Sequence, residues 1–144
     1  ELKNKKAALK DFNDAIRVDN SNAQAYYYRG GYFFLDAKYK EAILDYSSAI
    51  KNKPNYAYAY NDRGSAKRQL KDFVGAIKDF KKAILVDKNL AFVYNNLGSA
   101  LRKNKQYDDA IANYSKAIKL SFITTCFRGG NYMYNSFYEH SITM

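Results

Sequence analysis

The chain is nearly empty of the residues from which active sites are commonly built. It has one cysteine, Cys126, and one histidine, His140. A single cysteine excludes an internal disulfide and fits a reducing, intracellular and cytoplasmic setting. A lone histidine in the C-terminal tail leaves the rest of the chain without a His-based metal cluster or a Ser/His/Asp arrangement. Tryptophan is absent, and proline occurs once, as Pro54. No run of eighteen apolar residues exists, so no membrane span is expected. Glu1 to Lys10 is charged rather than apolar, so no secretory signal is expected there. The chain does not begin with Met and is expected to be a piece of a longer protein or a processed product.

What chemistry remains has a plainer account. Cys126 near Arg128 could be an activated thiol, or a small apolar residue packed under a C-terminal cap. Asp11 with Asp14, and Asp108 with Asp109, are paired carboxylates, but lysines interleave them as on a solvated helix face. Arg29-Gly30-Gly31 is glycine-rich but follows no strand, so it is not a phosphate loop. The chain is expected to be no enzyme and to need no cofactor or metal.

What is present is repetition. A shift of thirty-four residues lays Gly30 on Gly64 and Gly98, Ala42 on Ala76 and Ala110, and Ala49 on Ala83 and Ala117. It also lays Tyr26 on Tyr60 and Tyr94, Tyr39 on Phe73 and Tyr107, and Tyr46 on Phe80 and Tyr114. A fixed period of this length marks a stacked-repeat architecture.

Within residues 23–56, Tyr26, Gly30 and Phe33 share one helical face. The pattern pauses at Asp36-Ala37-Lys38 and resumes with Tyr39, Ala42, Ile43, Tyr46, Ala49 and Ile50. Pro54 ends it, because proline cannot continue a helix. The unit is helix, short turn, helix, and so short a turn makes the two helices antiparallel neighbours. The glycines predict a close approach of the second helix, with Ala42, Ala76 and Ala110 facing them.

These residues resemble the tetratricopeptide repeat family over residues 1 to about 121. The family has Trp or Tyr where Tyr26, Tyr60 and Tyr94 stand; it has Leu before the glycine, where Leu97 obeys and Arg29 and Arg63 depart. It has Pro at the unit end, where Pro54 obeys and Lys88 and Phe122 depart. The expected fold is all-α: a right-handed superhelical solenoid of antiparallel helix pairs, in one domain spanning residues 1–144. Full repeats are expected at 23–56, 57–90 and 91–121. Residues 1–22 read as the second helix of a truncated repeat, with an exposed apolar stripe of Leu9, Phe12 and Ile16 suited to self-association. Residues 122–144 read as a degenerate cap, a short first helix folded over Ile111, Tyr114 and Ile118.

The concave side of such a stack is lined by the first helices. The positions beside each core face are Tyr27, Tyr28 and Phe34, then Tyr58, Asn61, Asp62, Ser65 and Arg68, then Phe92, Asn95, Asn96, Ser99, Arg102 and Lys103. This groove is aromatic at its start, amide-rich in the middle and basic at one rim. Amides can pair with the backbone of a bound segment, and aromatics can hold its side chains. Some family members grip an acidic chaperone C-terminus with Lys, Asn and Arg. Here those places hold Tyr27, Gly31, Asp62, Phe92 and Asn96, so that clamp is absent, and Asp62 would repel a carboxylate.

The resemblance implies a protein–protein interaction module or scaffold that takes a protein or peptide segment in the groove. The net charge of +10 favours an acidic partner by long-range steering. The same charge supports an alternative, a nucleic-acid-binding module, since related two-helix repeats read single-stranded RNA one base per unit. A further alternative is an architectural part of a cytoskeletal or ciliary assembly. No membrane partner is expected.

Overall fold

A computed structural model describes the backbone of residues 2–139 and the side chains of residues 6–123. The described residues form seven helices: α1 (Leu2–Val18), α2 (Ala23–Leu35), α3 (Tyr39–Asn52), α4 (Ala57–Gln69), α5 (Phe73–Val86), α6 (Ala91–Lys103) and α7 (Tyr107–Glu139). Gly30 of α2 lies against Tyr46 of α3, while Phe34 lies against Tyr39. Later residues of α2 therefore meet earlier residues of α3, and the pair is antiparallel. The pairs α4/α5 and α6/α7 repeat this packing, and the three pairs stack in chain order.

The glycines do bring the helices close; the Ala76 and Ala110 carbonyls face Gly64 and Gly98 at 3.2 and 3.1 Å from an added Cβ, and an aromatic side chain comes nearer still. A Cβ placed on Gly30 would lie 2.8 Å from Tyr46, one on Gly64 would lie 2.9 Å from Phe80, and one on Gly98 would lie 2.9 Å from Tyr114. An aromatic ring from the second helix lies against each glycine. Ala42, Ala76 and Ala110 are buried beside it.

The turns within pairs share one device. Ala37, Lys71 and Lys105 have φ of 57°, 64° and 63°, the left-handed region that costs a side chain about 1–2 kcal/mol. In the first turn, Ala37 N–H donates to the Phe34 carbonyl and Lys38 N–H to the Phe33 carbonyl. The pattern recurs at Lys71 and Asp72, and at Lys105 and Gln106. These paired bonds satisfy carbonyls that the helix end would leave unpaired.

The turns between pairs explain how repeats can lack proline. The backbone leaves α3 at Lys53 (φ −137°, ψ 86°) ahead of Pro54, and leaves α5 at Asp87 (φ −143°, ψ 105°) with no proline following. There the Asp87 side chain accepts from Asn89 N–H at 2.9 Å. Asp19, one period earlier than Lys53, accepts from Ser21 N–H at 2.9 Å. An aspartate turn replaces the proline. The next equivalent positions hold Ser121 and Phe122, which offer neither proline nor aspartate.

This corrects the expected cap. The backbone of α7 runs on without a turn from Tyr107 to Glu139, so residues 122–139 extend the helix rather than fold back as a separate one. Ile111 and Ile118 remain 63% and 70% exposed. The end of the expected cap, His140 included, lies outside the described residues, as does the Cys126 side chain. The N-terminal expectation also changes. Leu9, Phe12 and Ile16 are half-buried, and Phe12 stacks on Tyr28 of α2 at 6.3 Å. That stripe is largely taken up within the chain, which removes the basis for self-association through it.

Arg29 and Arg63, which depart from the family pattern, have matching aspartates. Arg29 makes a two-pronged contact with Asp45, both bonds 2.7 Å. Arg63 does the same with Asp79 at 2.9 and 2.7 Å. Each guanidinium also reaches back to the helix before its own, to Asn13 at 2.7 Å and to Ser47 at 3.0 Å. One side chain thus ties three helices together. Asp45 holds the Arg29 guanidinium above its ordinary pKa, against the opposing effect of burial.

Candidate functional site

The first helices α2, α4 and α6 lie side by side, and side chains bridge between them. The Tyr27 hydroxyl donates to Asp62 Oδ2 at 2.7 Å. Asn61 Nδ2 donates to Asp62 Oδ1 at 2.8 Å, and Asn96 Nδ2 donates to Asn61 Oδ1 at 2.9 Å. This is one continuous chain of hydrogen bonds across the three helices. The two bonds between helices join residues thirty-five apart, one more than the repeat.

Above this brace opens a concave pocket of about 640 Å³. Tyr27, Tyr28, Gly31, Tyr32, Phe34 and Leu35 of α2 form one wall, and Asn61, Asp62 and Ser65 of α4 form another. Phe12 of α1, Tyr46 of α3 and Asn96 of α6 complete it. Tyr28 is 54% exposed. Tyr27 packs edge-on to it at 5.5 Å and lies 4.9 Å from the Tyr56 ring. The wall is aromatic, and among the described residues Asp62 is the one acidic or basic side chain in it.

Burial raises the Asp62 carboxyl above the ordinary aspartate value, although the Tyr27 and Asn61 donors pull the other way. Burial likewise pushes the Tyr27 phenol up, and the hydrogen bond to Asp62 adds to this. Tyr46 and Tyr56 are raised chiefly by burial, with Asp62 contributing to both. Asp62 is thus a carboxyl in a cup of tyrosines, where burial disfavours its charged form and the Tyr27 and Asn61 donors favour it.

The structure divides the groove residues expected from sequence. Tyr27, Tyr28, Phe34, Asn61, Asp62, Ser65 and Asn96 come together in this pocket. Phe92 and Asn95 instead line a second, shallower concavity of about 690 Å³ with Tyr114, Ile118 and Phe122. Tyr58 stacks on Phe92 at 5.8 Å. Arg68 donates to the Ser99 hydroxyl at 3.0 Å, bracing α4 against α6. Arg102 and Lys103 are exposed at the end of α6. Asn61 is only 5% exposed and hydrogen-bonded on both sides, so its amide is part of the brace and not open to a peptide backbone.

Phe12, Tyr32 and Tyr46 belong to the pocket but were not expected there. Phe12 enters from α1 and Tyr46 from the second helix α3, while Tyr32 stands on α2 outside the positions beside its core face. The signal was present: Phe12, Tyr46, Phe80 and Tyr114 share one repeat position.

Models of the tetratricopeptide repeat match residues 2–57, 36–91 and 91–121. The chain belongs to the tetratricopeptide repeat family. It is a solenoid of antiparallel helix pairs and, as a member of that family, a protein–protein interaction module. Its fold is similar to the crystal structure of MamA, with a TM-score of 0.80 and 23% identity, over 84% of this chain and 71% of that one. It is similar to the first tetratricopeptide domain of Spaghetti (RPAP3) bound to the HSP90 peptide SRMEEVD, with a TM-score of 0.68 and 25% identity, over 71% of this chain and 81% of that one. The Arabidopsis OM64 tetratricopeptide domain aligns with a TM-score of 0.67 and 28% identity, over 68% of this chain and 81% of that one. No curated protein sequence matches the chain. Among the described residues, no helix is long and apolar enough to cross a membrane, and no group of His, Cys, Asp and Glu could hold a metal ion.

Proposed function

We propose that the chain is a non-enzymatic interaction module that holds a partner segment in the concave pocket between α1, α2 and α4. The observation that carries this is the pairing of an open aromatic wall with a rigid floor. Tyr28 and Leu35 are exposed, while the Tyr27–Asp62–Asn61–Asn96 chain beneath them is fixed by hydrogen bonds. An aromatic site that is already shaped loses little entropy when it takes up a side chain. The RPAP3 domain, of similar fold, is described with a bound peptide, which fits this reading. Among the described residues the pocket wall has no Lys or Arg, which favours a protein segment over a phosphate backbone.

The test is a double substitution, Tyr28→Ala with Leu35→Ser, made in the full-length protein in its own cells. Both residues are exposed, so helicity by circular dichroism should stay unchanged while partner capture is lost. Undiminished capture by a folded variant would remove the pocket as the binding site.

A further inference from the structure

The three inward-facing aspartates of the stack differ in one respect. Asp45 is held by Arg29, and Asp79 by Arg63 and Lys67. Among the described residues, Asp62 has no ion-pair partner; its bonds come from a phenol and an amide, both neutral. A carboxylate has about four lone-pair sites, so two donors leave about half of its accepting capacity. Burial disfavours the charged form of a carboxyl that has no opposite charge beside it, and a cation brought to it favours that form and pairs with it. Exposed Tyr28 and Leu35 stand in the same pocket wall, offering apolar contact beside the charge.

We infer that the pocket selects a partner segment carrying a lysine or arginine next to a bulky apolar residue, the apolar residue seated against Tyr28 and Leu35 and the cation on Asp62. This rests on the pocket being the partner site, and it names the chemistry of what binds there. It runs against the overall charge of +10, which draws acidic segments from a distance. The two effects act over different ranges. Steering by surface charge fades within about 10 Å at 0.1 M salt, while a contact inside the pocket is screened much less. The net positive field therefore governs encounter, and Asp62 governs which segment stays.

The probe is a soluble library of eight-residue peptides, acetylated and amidated, with phenylalanine fixed at the centre and the flanking positions randomised. It is selected on the wild-type chain, on Asp62→Asn and on Tyr28→Ala, each at low salt and at 0.5 M salt. The expected result is enrichment of Lys and Arg beside the phenylalanine, at least tenfold over Glu and Asp, kept in 0.5 M salt. That enrichment should vanish in Asp62→Asn while retention of the phenylalanine peptides persists. Binding that depends on Tyr28 but shows no basic preference, or an acidic one, overturns the inference and leaves the pocket as a binding site. Retention that is the same with and without Tyr28, or absent altogether, overturns both. The high-salt selection on the wild-type chain alone decides the matter should Asp62→Asn fail to fold.

Discussion

The second and third helix pairs solve one packing problem with opposite chemistry. In the α4/α5 pair, Arg63 and Lys67 of α4 converge on Asp79 of α5. One period later the same three places hold Leu97, Leu101 and Asn113. Leu97 and Leu101 are buried, and Asn113 turns back to its own helix, donating to the Asp109 carbonyl at 2.8 Å. The third pair accordingly shares a broad apolar core with α5, while the first pair has a much smaller one around Ala42 and Tyr46. Both chemistries are compatible with the same helix spacing, because the glycine and aromatic contact that sets the spacing is common to all pairs. The arginines add something leucine cannot. Through Ser47 and Asn13 they tie each pair to the helix before it.

The largest effect should come from Asp79→Ala, which strands Arg63 and Lys67 in a site where each is about one-fifth exposed. Removing one partner of a buried pair costs about 3–5 kcal/mol, and the partial exposure here puts the loss near the lower figure, read by chemical denaturation. Copying the third pair into the second should undo most of that loss. The triple change Arg63→Leu, Lys67→Leu and Asp79→Asn is expected to fold within about 1 kcal/mol of the wild type, since apolar replacement of a buried ion pair is often neutral or better. A triple variant as weak as Asp79→Ala would show that the two chemistries are not interchangeable. The smallest effect concerns the turns. Lys71→Gly relieves a left-handed residue and should add about 1 kcal/mol, seen as a raised melting temperature. An unchanged or lowered melting temperature would place the turn's stability elsewhere.

The architecture was legible because its period is carried by glycine, alanine and large aromatics, which are hard to exchange. The ion pairs were legible too, though only as departures: Arg29 and Asp45 are sixteen residues apart, as are Arg63 and Asp79, and the two pairs are one period apart. Read along a single helix, the arginines looked like errors in the pattern; read across the turn, they had partners. The groove was half legible. First-helix positions located Tyr27, Tyr28 and Asp62, but not that Asn61 and Asn96 would spend their amides on each other across a helix boundary. The end of the chain misled, because residues 122–144 read as a separate cap on the last pair. A helix stops where its last carbonyls find other partners, and Ser121-Phe122 carries neither the aspartate nor the proline that ends α1, α3 and α5.

The central claim is that partners are held in the aromatic pocket on the first helices and not on the outer, second-helix surface. A photo-crosslinking residue, p-benzoylphenylalanine, placed at Tyr28 in the pocket or at Leu85 on α5 tests it directly; both positions are exposed. The account predicts a discrete partner adduct from position 28 in the protein's own cells and none from position 85. An adduct from position 85 alone would contradict it.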